Sequence, residues 1–171
     1  MTIRTRVATE EYREIQLSQG CVALVDLEDY AKLAPFRWHC DHGYACRNAV
    51  KREDRKGYLR GYMHREVLSL PRGGFPPVDH INGNTLDNRK ANLRVASAFG
   101  NAANRRPNKG KPLPKGVSFH KQTGKYQARI SQGRRLIHLG LFASPQEAAI
   151  AYNEAAKVYH GEYARLNEVA A

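Results

Sequence analysis

Val78-Asp79-His80-Ile81-Asn82-Gly83-Asn84, followed by Asn88, Asn92-Leu93-Arg94 and Ser97-Ala98-Phe99-Gly100-Asn101-Ala102-Ala103-Asn104, is where the fold of this 171-residue chain can be read. An Asp-His pair closes a strand-like run, Asn82-Gly83 is a hairpin signal, and Ser97 is a suitable N-cap for a short helix. A hairpin followed by a helix can close two chain segments around one cation. Phosphodiester hydrolysis needs a base that activates water near neutral pH, which histidine supplies. It also needs a divalent ion held by hard oxygen ligands that leave coordination positions open. Asp79, His80 and an asparagine on the following helix provide those parts.

Upstream, Cys21–Val25 reads as a strand and Asp26–Leu33 as a short capped helix, followed by Trp38-His39-Cys40. Residues 1–48 therefore form an α+β lead-in. Gly43–Arg47 and Tyr58–Tyr62 are candidate strands joined by the basic loop Lys51–Lys56, which is either a solvated hairpin tip or a phosphate clamp. Met63–Leu70 has helical spacing and stops before Pro71 and Gly73-Gly74. His64, on that helix, reads as a packing or hairpin-supporting residue. His39-Cys40-Asp41-His42 with Cys46 lacks the paired spacings of a zinc site and reads as polar strand positions plus buried thiols.

Downstream, Arg105–Pro114 combines three prolines, a glycine and four basic residues without apolar periodicity, so a basic linker is expected over 107–114. Beyond it Gly116–His120, Lys125–Ile130 and Arg135–Leu139 alternate apolar with polar residues, separated by turns at Thr123-Gly124 and Gln132-Gly133. This predicts a three-stranded antiparallel meander with one polar face. Ser144-Pro145-Gln146-Glu147 is a capping box with proline at the first helical position, opening a helix that runs to Gly161. Its alanine face allows close approach to the sheet and leaves the other sheet face free.

Bulk composition narrows the function. Lys and Arg number 28 against 16 Asp and Glu, a net +12, where small domains ordinarily carry about 2–8. Residues 1–40 hold a net −1, so the excess lies beyond them, as in a nucleic-acid binder. Apolar runs such as Cys21–Val25 fall well short of the roughly 18 residues a membrane helix needs. Three cysteines without CxxC spacing, and an N-terminus lacking an apolar leader, lead us to expect an intracellular, cytoplasmic protein. The expected partner is double-stranded DNA, with no membrane or small-molecule cofactor, and the protein is expected to act as a monomer.

The stretch VDHINGNTLDNRKANLRVASAFGNAANRR resembles the HNH nuclease motif of phage and intron-associated homing endonucleases, in the branch with asparagine in place of the final histidine. The resemblance covers roughly residues 14–106, including Ile15–Gly20, Trp38 and Met63-His64-Arg65. It implies a ββα-metal finger in which His80 is the general base and Asn92 holds the hairpin loop. It also implies that Asp79 and Asn101 bind one divalent ion, usually magnesium, with manganese as the substitute. Asn104 competes for the last position, and Asn101 has the better spacing. The implied source is a phage in a bacterial host.

The segment GVSFHKQTGKYQARISQGRRLIHLGLFASPQEAAIAYNEAAKVYHGEYARLN is similar to the DNA-binding domain of plant ethylene-response factors, the Apetala-two fold. That resemblance implies a sheet face in the DNA major groove, with contacts at Lys115, Ser118, His120, Gln127, Arg129, Ser131 and His138. Ser118, His120 and Leu136 stand where arginine is usual, Arg129 where an acid is usual, and His138 where tryptophan is usual, so the base preference does not transfer.

The chain is thus expected to be of α+β class, with a nuclease domain over 1–106 (finger about 76–106) and a DNA-reading module over 115–168. The expected function is a metal-dependent DNA endonuclease. The rival is a sequence-specific DNA-binding regulator with a non-catalytic finger. An RNase is disfavoured because the RNA major groove is too deep and narrow for a sheet reader.

Overall fold

Short runs of alternating apolar and polar residues build small antiparallel sheets, and the computed structural model describes residues 12–51, 58–106 and 113–169. The chain divides into two compact units, Met1–Val95 and Ala96–Ala171. Most of the expected linker, 107–112, and most of the basic loop, 52–56, lie outside the described residues.

In the first unit β1 (Tyr12–Gln16) pairs antiparallel with β2 (Val22–Asp26). Their inward-facing Ile15, Ala23 and Val25 join Leu17, Leu33, Trp38, Ala45, Met63, Val67 and Leu93 in one buried core. Helix α1 (Leu27–Leu33) follows β2 directly. Asp26 occupies its N-cap position but makes no cap bond. Its Oδ2 instead accepts from the Lys90 backbone N–H at 2.7 Å, so the expected cap residue serves a tertiary contact. The Trp38 indole donates to Leu33 O at 2.8 Å and closes the end of α1.

β3 (His39–Asp41), β4 (Tyr44–Lys51) and β5 (Tyr58–Tyr62) form a sheet in that order. Helix α2 (Met63–Val67) is shorter than the expected 63–70. Ser69 adopts a positive φ of 52° and the Leu70 N–H closes on Arg65 O at 2.8 Å, turning the chain before Pro71. β6 (Val78–His80) and β7 (Leu93–Val95) form a two-stranded sheet. Asn82-Gly83 makes a turn, with the Gly83 N–H on His80 O at 2.8 Å, but it is not the hairpin connection. The chain first runs through loop 81–92, so the tight-turn expectation gives way to a long, hydrogen-bonded loop.

The second unit starts with α3 (Ala98–Asn104), capped by Ser97 Oγ accepting from the Gly100 N–H at 3.0 Å. β8 (Val117–His120), β9 (Lys125–Gln132) and β10 (Arg135–Phe142) form the expected meander in the order β10-β9-β8. Helix α4 (Pro145–His160) is capped by Ser144 Oγ. It buries Ala148, Ala149, Tyr152 and Ala156, with Ile130 and Tyr152 at the centre of the second core. Gly116, at φ +78°, lies so close under the Tyr152 ring that a Cβ would sit 2.0 Å from it. Only glycine allows that approach. Among the described residues no helix is long and apolar enough to cross a membrane.

Candidate active site and nucleic-acid face

Loop 81–92 is irregular backbone up to a single 3-10 turn at Lys90–Asn92, so side chains must supply the hydrogen bonds that a ladder would otherwise provide. Asn92 does this in two directions. Its Oδ1 accepts from the Asn82 N–H at 2.9 Å and its Nδ2 donates to Asp87 O at 2.7 Å, stapling both limbs of the loop. Asp87, 2% exposed, accepts from Arg89 Nε and Nη2 and from Asn82 Nδ2, each at 2.8 Å. The Arg89 guanidinium holds its carboxyl below the usual carboxylate range despite burial. The loop is fastened to β2 by Leu24 N–H on Leu86 O and Asn88 N–H on Leu24 O. The expected loop-holding residue, Asn92, is where those bonds converge.

His80 and Asp79 end β6 and are both buried. His80 Nε2 lies 3.4 Å from Asn88 Oδ1, and Asn88 Nδ2 donates to Leu86 O at 3.1 Å. With the amide nitrogen committed to Leu86, the oxygen faces the imidazole, which favours the tautomer with its proton on Nε2 and its lone pair on Nδ1. The ring meets His64 edge-on at 5.3 Å and lies 6.0 Å from Tyr44, while His64 stacks on Tyr62 at 5.5 Å. Burial lowers the His80 pKa, against the opposing pull of Asn88, Asp79 and Asp87. Burial, then repulsion from His80 and Arg65, takes His64 down to about 3. Both rings are therefore neutral at neutral pH. Asp79 pairs across the sheet with Arg94, whose Nε and Nη2 donate to Oδ2 at 2.9 and 2.7 Å.

Asn101 and Asn104 lie on α3 in the second unit, three positions apart and hence on one helix face. Asn101 is half-buried and Asn104 buried. Among the described residues no three His, Cys, Asp or Glu side chains are grouped to hold a metal. An ion held by one carboxylate and one amide would keep most of its ligands as water or substrate oxygen, as magnesium does.

Six of the seven expected DNA contacts share one sheet face. Ser118 pairs with Gln127, His138 with Arg129 and Leu136 with Ser131, and residues opposite one another in an antiparallel pair point the same way. His120, two positions from Ser118, joins them. Ala128 and Ile130 point the other way and are buried. Arg129 Nη2 reaches Ser118 Oγ at 3.4 Å across this face. Lys115 is placed differently. Asn167 clamps its backbone through Lys115 N–H on Oδ1 at 2.7 Å and Nδ2 on Lys115 O at 3.1 Å. Its Nζ donates to Ala103 O. Burial, with Arg165 and Arg105 nearby, depresses Lys115 to about 8.

Sequence reasoning named Asn88 and Arg94 without giving either a role, and assigned His64 only a supporting one. The one signal for Asn88 was its place in the run Leu86-Asp87-Asn88-Arg89, where polar residues follow the hairpin signal too closely for all to face water.

Residues 62–103 match the HNH endonuclease family. That span runs from the end of β5 to the last turn of α3 and contains His64, Asp79, His80, Asn88, Asn92, Arg94 and Asn101. The chain is also similar to an uncharacterized HNH endonuclease of Acanthamoeba polyphaga mimivirus, 26% identical over 161 residues, covering 88% of this chain and 77% of the viral protein. Two AP2-like ethylene-responsive transcription factors of Arabidopsis thaliana are similar over shorter stretches. One is 42% identical over 55 residues, 31% of this chain and 16% of the plant protein. The other, AIL7, is 41% identical over 61 residues, 34% of this chain and 12% of its own length. The match to the HNH endonuclease family over 62–103 and the similarity to the viral protein support a nuclease role.

Proposed function

We propose that this chain is a metal-dependent endonuclease that hydrolyses phosphodiester bonds in duplex DNA, reading its target with the second unit. The observation that carries the reading is the placement of His80: buried at the end of β6 and faced at Nε2 by an amide oxygen, with burial lowering its pKa and so favouring the neutral ring. In that state Nδ1 takes a proton from water as the water oxygen bonds to phosphorus and the bond from phosphorus to the leaving oxygen breaks. Asn92 acts by holding the loop that returns the chain to β7. Asp79 and Asn101 are the residues that would hold the divalent ion, magnesium or manganese, and their oxygens suit it. That ion would supply charge neutralisation at the scissile phosphate and leaving oxygen. Ser118, His120, Gln127, Arg129, Ser131 and His138 supply base-edge and phosphate contacts from the exposed sheet, and Lys115 supports them from its edge.

The test is incubation of the full chain with plasmid and genomic DNA in magnesium, in manganese and in excess chelator, with the ends mapped. Metal-dependent, chelator-sensitive cleavage is expected. A second reading is favoured by the Arg94–Asp79 ion pair, which can hold the finger together without an ion: a DNA-binding regulator with a non-catalytic finger. It is selected if the chain binds DNA but no metal elicits cleavage.

A further inference from the structure

Phe75 is the most exposed of the large apolar residues among those described, at 83%. A single exposed apolar residue ordinarily needs no explanation, but the scaffold beneath this one is unusual. Arg65, only 3% exposed, projects from α2, whose Met63 and Val67 belong to the buried core. Its guanidinium is spent on the backbone of the Phe75 loop: Nε donates to Pro71 O at 2.9 Å, Nη2 to Phe75 O at 2.8 Å and Nη1 to Pro76 O at 2.6 Å. A buried cation thus fixes both ends of the six-residue loop 71–76, and the aromatic ring at its anchored far end points into water. Between Glu66 and Asp79 the chain carries no acid and one exposed base, Arg72. The loop leads directly into β6. At about 3.3 Å per residue Phe75 is no more than about 17 Å along the chain from His80, or roughly five base-pair steps.

From the proposed cleavage of duplex DNA and this geometry we infer that Phe75 is a wedge that enters the duplex between neighbouring base pairs beside the cleaved phosphate. Apolar side chains inserted in this way unstack a step and kink the helix, and they work only on a support that does not yield. Arg65 is that support, and the exposed Arg72, three residues before the ring in the same loop, is the base available to the phosphates. The wedge locally opens the duplex that His80 acts on, and favours easily unstacked steps near the cut.

The test uses the full chain and duplexes of mixed sequence carrying 2-aminopurine at successive positions, with chelator present so that binding is read without cleavage. Wild type is expected to raise the fluorescence at one or two adjacent positions. Phe75→Ala should lose most of that rise, with affinity changed by less than about threefold and an unchanged melting temperature, while Phe75→Leu retains a substantial part. On a duplex carrying a mapped cut, Phe75→Ala should slow cleavage by about tenfold or more. An abasic site within five base pairs of the cut should restore most of the rate. The inference is overturned if wild type binds without unstacking, if Phe75→Ala keeps the full rise, or if the substitution changes the oligomeric state and leaves the DNA signal alone. Unstacking by a wild-type chain that never cleaves would sink the nuclease reading and leave the wedge standing. Cleavage without unstacking would do the reverse.

Discussion

The loop between β6 and β7 and the meander β8–β10 place polar side chains by opposite means. Beside the loop, Asp79 and His80 are buried at the end of β6, and Asp87, Asn88 and Asn92 hold the loop itself through side-chain hydrogen bonds to Asn82 and to the loop backbone. In the meander strand alternation alone sends Ser118, Gln127, Arg129 and His138 to one side and Ala128 and Ile130 to the other. Under the proposed function, burial of His80 at the end of β6 favours the neutral imidazole that general-base chemistry requires. Under the same reading, exposure in the sheet presents donors to a groove, as recognition requires. Damage to the first should therefore cost both rate and stability, and damage to the second should cost affinity alone.

The largest expected effect is at His80. Replacing it with alanine should lower the cleavage rate by about 100-fold or more, the scale of a positioned general base, with DNA affinity nearly unchanged. Single-turnover kinetics beside a binding titration will check this, and a mutant that cuts at the wild-type rate removes His80 from the role.

Asn92→Ala comes next and tests whether the loop depends on its staple. It strands the Asn82 N–H and the Asp87 carbonyl, and should destabilise the first unit by about 2–3 kcal/mol in denaturant unfolding. Arg129→Ala, on the exposed sheet, should unfold within about 0.5 kcal/mol of wild type. If the two variants unfold alike, the contrast between the regions is lost.

Arg129→Ala should show its effect on DNA instead, weakening binding by about 1–3 kcal/mol and relaxing sequence preference. Affinities measured on mapped and scrambled duplexes separate the two. Equal losses on both would make Arg129 a phosphate contact and move base reading to its neighbours.

The sheet was far more legible in the sequence than the loop. Alternation through Lys125–Ile130 and the capping box at Ser144 carry their geometry locally, and the structure has β9 and the α4 cap at those residues. In the first unit the local signals at Asp26 and Asn82-Gly83 were overridden. Asp26 answers the Lys90 N–H, 64 residues away. The Asn82 N–H answers Asn92, ten residues away. His80 was legible by residue type and neighbour. The amide oxygen that selects its tautomer was not, because Asn88 reaches it only after loop 81–92 folds back onto β2.

The smallest effect concerns Lys115, the one expected contact that lies off the sheet face. Its pKa falls from 10.5 in the unfolded chain to about 8 in the fold, chiefly by burial. Between those values the unfolded state binds more protons than the folded state, so stability rises with pH through this window. Below about 8 the lysine is charged in both states and its burial cost is fully present. Above about 10.5 it is neutral in both and the cost is gone. The side chain is only half-buried and solvent screens it, so the gain should be less than about 1 kcal/mol. The thiols of Cys21 and Cys46, pushed up by a Cys40 hydrogen bond and by burial respectively, act in the opposite direction at alkaline pH. They are common to wild type and a Lys115→Met variant, and drop out of the difference between the two. Melting temperatures of both proteins at pH 7.5 and 9.5 should therefore show wild type gaining on the variant as pH rises. A constant difference would mean that the Lys115 ammonium keeps its ordinary pKa, and would place the side chain in water, available to phosphate like the residues of the sheet.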